Sequence, residues 1–196
     1  MTMTDQEQKD HLKEYSERHR FWANQALNQL GYSINLFTTL GIAFLTFLIS
    51  ERTNYNKINI DFSQNIDCSL TFFLTALFLT GLTVFLGLLS VTARLYDIRI
   101  TRHIIWTRKR TMKKLKTSLP DGYIDLSKSS KLGNYLRTLT KKIDWIETKD
   151  LEDKDILNTR FEALRKQAKL LGELSWRTHK LQLLTLMLAL ICYGLS

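Results

Sequence analysis

The side chains able to do chemistry in this sequence are few and widely spaced. Histidines stand at His11, His19, His103 and His179 with no HExxH pair, and Cys68 and Cys192 form no CxxC. Metal centres need ligands at short spacings, so neither a zinc site nor a disulfide framework is expected. The eight glycines make no GxGxxG or GxxxxGK phosphate loop. No nucleophile has a positioned base, and no carboxylate pair lies in an apolar stretch. These residues predict a protein that is not an enzyme, with no metal, no cofactor and no evident small-molecule substrate.

What the residue types do offer is helix contact inside lipid. Ser69, Ala76, Thr80, Thr83, Gly87 and Ser90 recur at heptad-compatible steps, with Phe73 the one interruption. In membranes small residues let backbones approach closely, and hydroxyls hydrogen-bond across the contact. Two readings are open: packing against an earlier apolar helix of the same chain, or an oligomer seam or pore lining. Uncharged hydroxyls would line only a weakly selective water path. On the earlier helix, Asn35 shares a side with Thr39, Ala43, Thr46 and Ser50. An unpaired Asn is costly in hydrocarbon, so this side is expected to face protein. Gly41 offers close approach on an adjacent side. The candidate packing or oligomer seam is therefore Asn35, Thr39, Ala76, Thr80, Thr83, Gly87 and Ser90.

The element that positions this pattern is Cys68 to Ala93, a run without charge between Asp67 and Arg94. At about 1.5 Å per residue it crosses a hydrocarbon core of about 30 Å with tilt to spare. A second uncharged run, Gly31 to Ser50, precedes it, and the polar loop 51–67 joins them as a hairpin. Within that loop Ile58 to Phe62 alternates, as a short strand or a surface segment would. A last uncharged run, Leu181 to Leu195, is short at about 22 Å. Trp176, Arg177, His179 and Lys180 before it can snorkel, and Tyr193 suits the far interface. It reads as a third span, or else as a tail helix that enters the bilayer part-way. In the first case Cys68 and Cys192 lie near one face, where a disulfide needs Cα atoms within about 7 Å and free thiols are the alternative. None of the three runs holds Asp, Glu, Lys or Arg, which argues against an ion-coupled transporter.

The net charge is +9, and its distribution sets orientation. Of 28 Lys and Arg residues, four precede the first span, two lie in loop 51–67 and twenty-two in 94–180. The positive-inside rule places the N-terminus and 94–180 in the cytoplasm and the loop outside. The polar first thirty residues predict no cleavable signal. They read as an amphipathic helix, with Thr4 and Glu7 at capping-box spacing. Its stripe of Leu12, Tyr15, His19, Trp22, Ala26 and Leu30 would pack on another cytoplasmic helix or lie on lipid.

Beyond Ala93 the same helix is expected to continue, with Arg102, Arg108, Lys109, Arg110, Lys113 and Lys114 on a basic face and Leu95, Ile98, Ile105, Met112 and Leu115 opposite. That face fits topology and anionic-lipid contact, nucleic-acid or nucleoprotein contact, or internal pairing with acids. Leu119 to Gly122 reads as a turn, and Leu132 to Ile146 as a shorter helix. The acids between Asp144 and Asp155 would open the next helix or neutralise the basic face. Ile156, Leu157, Phe161, Leu164, Ala168 and Leu171 then form an apolar stripe. The fold expected is an all-α membrane protein: a transmembrane hairpin over 31–93, cytoplasmic helical extensions over 1–30 and 94–177, and a C-terminal membrane segment over 178–196.

A helix carrying EYSERHRFWANQAL, then a short-looped hairpin, then ARLYDIRITRHIIWTRKR resembles the small two-transmembrane effectors of bacterial anti-phage defence, SLATT-like or retron-associated. The resemblance covers roughly residues 8–116 and rests on layout and residue character; the third span departs from a two-span pattern. It implies an abortive-infection effector in the inner membrane that self-associates and permeabilises the bilayer when a sensor releases it. The hairpin would be the damaging element and 94–116 the coupling helix. It further implies a regulatory nucleoprotein partner, such as a reverse transcriptase with its RNA and DNA. The alternative from the residues alone is a membrane anchor or scaffold that recruits a cytoplasmic partner; a small channel is a third.

Overall fold

The computed structural model of the chain describes residues 5–54, 68–115, 119, 132–151 and 153–196. These residues form α1 (Asp5–Glu51), α2 (Cys68–Leu115), α3 (Leu132–Thr140) and α4 (Lys154–Gly194), with short 3-10 turns at Arg52–Asn54 and Lys149–Leu151. Among them there is no strand. The three long helices each extend about 60–70 Å at 1.5 Å per residue. Thr4 and the loop segment 55–67 lie outside the described residues, as do Pro120 and 121–131.

α1 and α2 are long and apolar enough to cross a membrane. Their most apolar windows are only 17% and 28% buried. A core helix of a water-soluble domain would be mostly buried; here Phe78, Phe85 and Met187 stand 71%, 61% and 64% exposed. Such outward apolar surface suits lipid better than water.

α1 runs unbroken from Asp5, so the N-terminal helix and the first apolar run are one rod. Leu30 is buried, but Glu17, Arg20, Phe21 and residues 24–29 are exposed, Ala26 included. Packing of that stripe on another cytoplasmic helix is therefore not seen at Ala26, and the side chains of Leu12, Tyr15, His19 and Trp22 lie outside the described residues.

The broadest contact in the molecule is between α2 and α4, not between α2 and α1. The two helices run antiparallel: Ser90 meets Ser175, while the Ser69 hydroxyl donates to the Ser196 carbonyl. Two apolar cores flank this seam. Near its basic end Ile100, Ile104, Tyr135, Ile146, Leu157, Phe161, Leu164 and Leu171 form a large cluster. At the other end Leu48, Phe73 and Ala76 pack with Phe44, Cys192 and Tyr193. Cys68 and Cys192 form no disulfide.

The segment after α3 differs from expectation. Helix stops at Thr140 instead of reaching Ile146. The backbone turns away because Ile143, Trp145 and Ile146 reach the large core from an irregular path. Side chains there satisfy its amides: Ile146 N–H donates to His103 Nε2 at 3.2 Å and Glu147 N–H to Asp150 Oδ2 at 2.8 Å. α4 then opens on Asp153, which accepts from the Asp155 and Ile156 amides at 3.0 and 3.1 Å. That is an N-cap, with acid at the positive end of the helix.

Candidate functional site

The hydroxyl and small residues of α2 point inward. Ala76, Thr80, Thr83 and Ser90 are fully buried, and Gly87 is buried with them. Their partners come mainly from α4. Thr83 and Thr185 hydroxyls meet at 2.8 Å. Ser90 donates to the Ser175 carbonyl at 2.8 Å and Ser175 returns a bond to the Ser90 carbonyl at 3.1 Å. Thr80 satisfies itself on the Ala76 carbonyl at 2.7 Å.

α1 joins through one directed chain of hydrogen bonds. Ser33 O–H donates to His179 Nε2 at 3.0 Å, and His179 Nδ1–H to Gln182 Oε1 at 3.3 Å. Gln182 Nε2–H donates to Thr38 Oγ1 at 2.9 Å, and Thr38 O–H to the Ile34 carbonyl at 2.7 Å. Every link has one donor and one acceptor, with the ring tautomer and amide orientation assigned from that requirement. Gly87 makes the crossing possible. A Cβ there would meet Thr38 Oγ1 at 2.3 Å and Gln182 Nε2 at 2.6 Å. Gly41 does the same on the other side, where a Cβ would sit 3.3 Å from Thr83 Cγ2 and Val84 Cγ2.

Asn35 and Thr39 are placed differently from the rest of the expected seam. Both are exposed, as are Ala43, Thr46 and Ser50. The inward register of α1 is taken by Leu30, Ile34, Gly41 and Leu48, and Asn35, one residue past Ile34, is rotated about 100° away. Asn35 lies in an open cleft with Asn28, Tyr32, Val91 and Arg94. Its side chain has no hydrogen bond among the described residues. Within the chain this side faces outward, so the protein expected against it is no element of this chain among the described residues.

The basic face of α2 is divided. Arg102 and Lys109 are exposed. Arg108 turns inward, its guanidinium 5.4 Å from the Phe161 ring centre. Arg110 lies 4.0 Å over Trp106 and donates to Thr148 at 3.2 Å. The side chains of Lys113 and Lys114 lie outside the described residues. Among the described residues Asp150 pairs with Arg160 at 2.7 Å, Glu147 with Lys149 at 2.9 Å and Asp97 with Arg94 at 3.1 Å. Burial pushes the Asp97 carboxyl above its ordinary range, against the opposing pull of Arg94 and the Thr101 hydrogen bond. Burial likewise lowers His103, which already spends Nε2 as an acceptor.

Sequence reasoning missed Ser33, Thr38, Ser175, His179, Gln182 and Thr185. A signal was present: Ser175, Thr178, Gln182 and Thr185 recur at three- and four-residue steps on α4. It is masked by the flanking Trp176, Arg177 and Lys180, which suggest an interface. Among the described residues no group of His, Cys, Asp or Glu could hold a metal ion. Compared with protein-family models, curated proteins and solved structures, the chain finds no match in any of the three.

Proposed function

We propose that this chain is a non-enzymatic effector of the bacterial inner membrane, of the anti-phage, abortive-infection kind, that self-associates and permeabilises the bilayer when a partner releases it. In this reading α1, α2 and the second half of α4 cross the membrane together, with the N-terminus and 94–174 in the cytoplasm. The observation that carries it is the outward stripe of Asn35, Thr39, Thr46 and Ser50 on the uncharged half of α1. The α2 hydroxyls are consumed inside the chain, so they are not free to line a pore. On the α1 stripe Thr46 donates to the Ile42 carbonyl at 2.9 Å, while the Asn35 amide has no hydrogen bond among the described residues. An interhelical polar contact in lipid is worth about 1–2 kcal/mol in model peptides, which favours a second copy of α1 over lipid beside Asn35. Brought together, several such stripes would enclose a polar, uncharged path.

Membrane potential followed by a voltage-sensitive dye after induced expression tests this. Depolarisation by the wild-type chain, lost in Asn35→Leu at equal membrane content, supports the effector. An unchanged potential with abundant membrane protein contradicts it and favours the second reading, a membrane anchor or scaffold for a cytoplasmic partner. That reading draws on the exposed side chains of α1 between Glu17 and Gln29, including Phe21 at 62%.

A further inference from the structure

A groove along the basic part of α2 has a different composition from the Asn35 cleft. It is an open groove lined by Arg99, Arg102, His103, Trp106 and Trp145, with about 500 Å³ of space. That volume is in the range of small-ligand sites. The adjoining groove shares Arg99 and Trp145 and adds Lys141 and Lys142. Among the described residues no acid lines either one.

The aromatic groups hold the cations in place. Arg99 lies 5.1 Å from the Trp145 ring centre, and Arg110 lies 4.0 Å over Trp106. His103 meets Trp145 edge-on at 4.9 Å and Trp106 at 5.8 Å. A guanidinium against a ring keeps its N–H donors for another acceptor. Arg102 has no acidic partner among the described residues. Trp106 remains 47% exposed even with Arg110 against it, so ring surface is left to cover. His103 has a structural task, accepting the Ile146 amide, and that bond fixes the loop that delivers Trp145.

We infer that this groove binds a soluble phosphate ester carrying a planar ring, a ligand of the nucleotide class, with Arg99 and Arg102 on the phosphates and Trp106 against the ring. The chemistry on each side matches: guanidinium forks suit phosphate oxygens, and aromatic faces stack on bases at about 1–3 kcal/mol each. A lipid headgroup would supply phosphate too, but depth argues against it. Arg99 and Trp106 lie six and thirteen residues past Ala93, about 9 and 20 Å along the helix. The headgroup layer is about 5–7 Å thick on each side. This inference rests on residues beyond Ala93 standing outside the bilayer, and not on permeabilisation, so the two can fail separately.

The test is calorimetric titration of the full-length chain, in nanodiscs of zwitterionic lipid, with ATP and with tripolyphosphate. Saturable ATP binding, about tenfold weaker in Arg102→Gln, is expected. Trp106→Leu should weaken ATP about tenfold and leave tripolyphosphate unchanged. Lys180→Gln, remote from the groove, should bind as wild type. Equal affinity in the wild type and Arg102→Gln, or no saturable binding, overturns the site. Tripolyphosphate binding as tightly as ATP overturns the ring contact. Loss of ATP binding in nanodiscs rich in anionic lipid would assign the groove to headgroups and overturn the soluble ligand.

Discussion

The two halves of the α2–α4 pair are the same helices held by different means. Between Ile100 and Leu174 the contact is a cluster of Leu, Ile, Phe and Tyr side chains. Between Ser90 and Thr83 it is Ser on Ser and Thr on Thr, with Gly87 leaving room for the Gln182–Thr38 bond that brings in α1. Water explains the first arrangement, since apolar area removed from it stabilises by about 25 cal/mol per Å². The second makes sense where the surroundings are as apolar as the interior. There burial of Leu gains nothing, and close approach with paired polar groups is what distinguishes inside from outside. The outward Phe78, Phe85 and Met187 beside a polar seam fit that inversion.

This contrast can be broken from either side. Phe161→Ala, in the fully buried apolar half, should cost about 3–5 kcal/mol, read by chemical unfolding in detergent with circular dichroism. A loss under 1 kcal/mol would mean the apolar half is not held by its core. Gly87→Leu should cost about 3 kcal/mol through overpacking, because even its Cβ meets Thr38 and Gln182. Gly81→Leu is the matched control, with nothing within 4 Å of its first added carbon. Equal behaviour of the two glycine variants would show that α1 and α4 do not cross α2 at Gly87.

Smaller effects sharpen the comparison. Asp153→Ala removes the two amide bonds that open α4 and should cost about 1 kcal/mol, visible as a lowered Tm. Thr83→Val should cost least, about 0.6 kcal/mol, the average for such bonds in a membrane protein. The Thr185 hydroxyl it abandons still has the Leu181 and Gln182 carbonyls at 3.0 Å. A cost as large as that of Phe161→Ala would mean the seam depends on single hydroxyls instead of on shape.

Much of this fold is legible in the residues. Uncharged runs mark where α1 and α2 are apolar, and Asp153 with Asp155 marks the start of α4. Which helices pair is not legible, because hydrophobic pattern alone makes any apolar face compatible with any other. Asn35 is expected to face protein since polar groups in lipid need partners; within the chain Ile34, one position earlier, takes the inward register. The apolar pattern puts Trp145 on a helix, whereas α3 ends at Thr140 and the chain bends to seat Ile146 beside His103. The Arg99–Trp145 groove depends on that bend, so no local pattern announces it.

Everything distinctive in this account depends on the second half of α4 lying across the bilayer beside α2. Labelling of Ser196→Cys, in a chain with Cys68→Ser and Cys192→Ser, by a membrane-impermeant maleimide tests it most directly. The antiparallel seam, which puts Ser196 beside Ser69, predicts labelling from the outer face of intact cells or spheroplasts. Labelling only after the inner membrane is permeabilised would leave the C-terminus in the cytoplasm and contradict the three-helix membrane bundle.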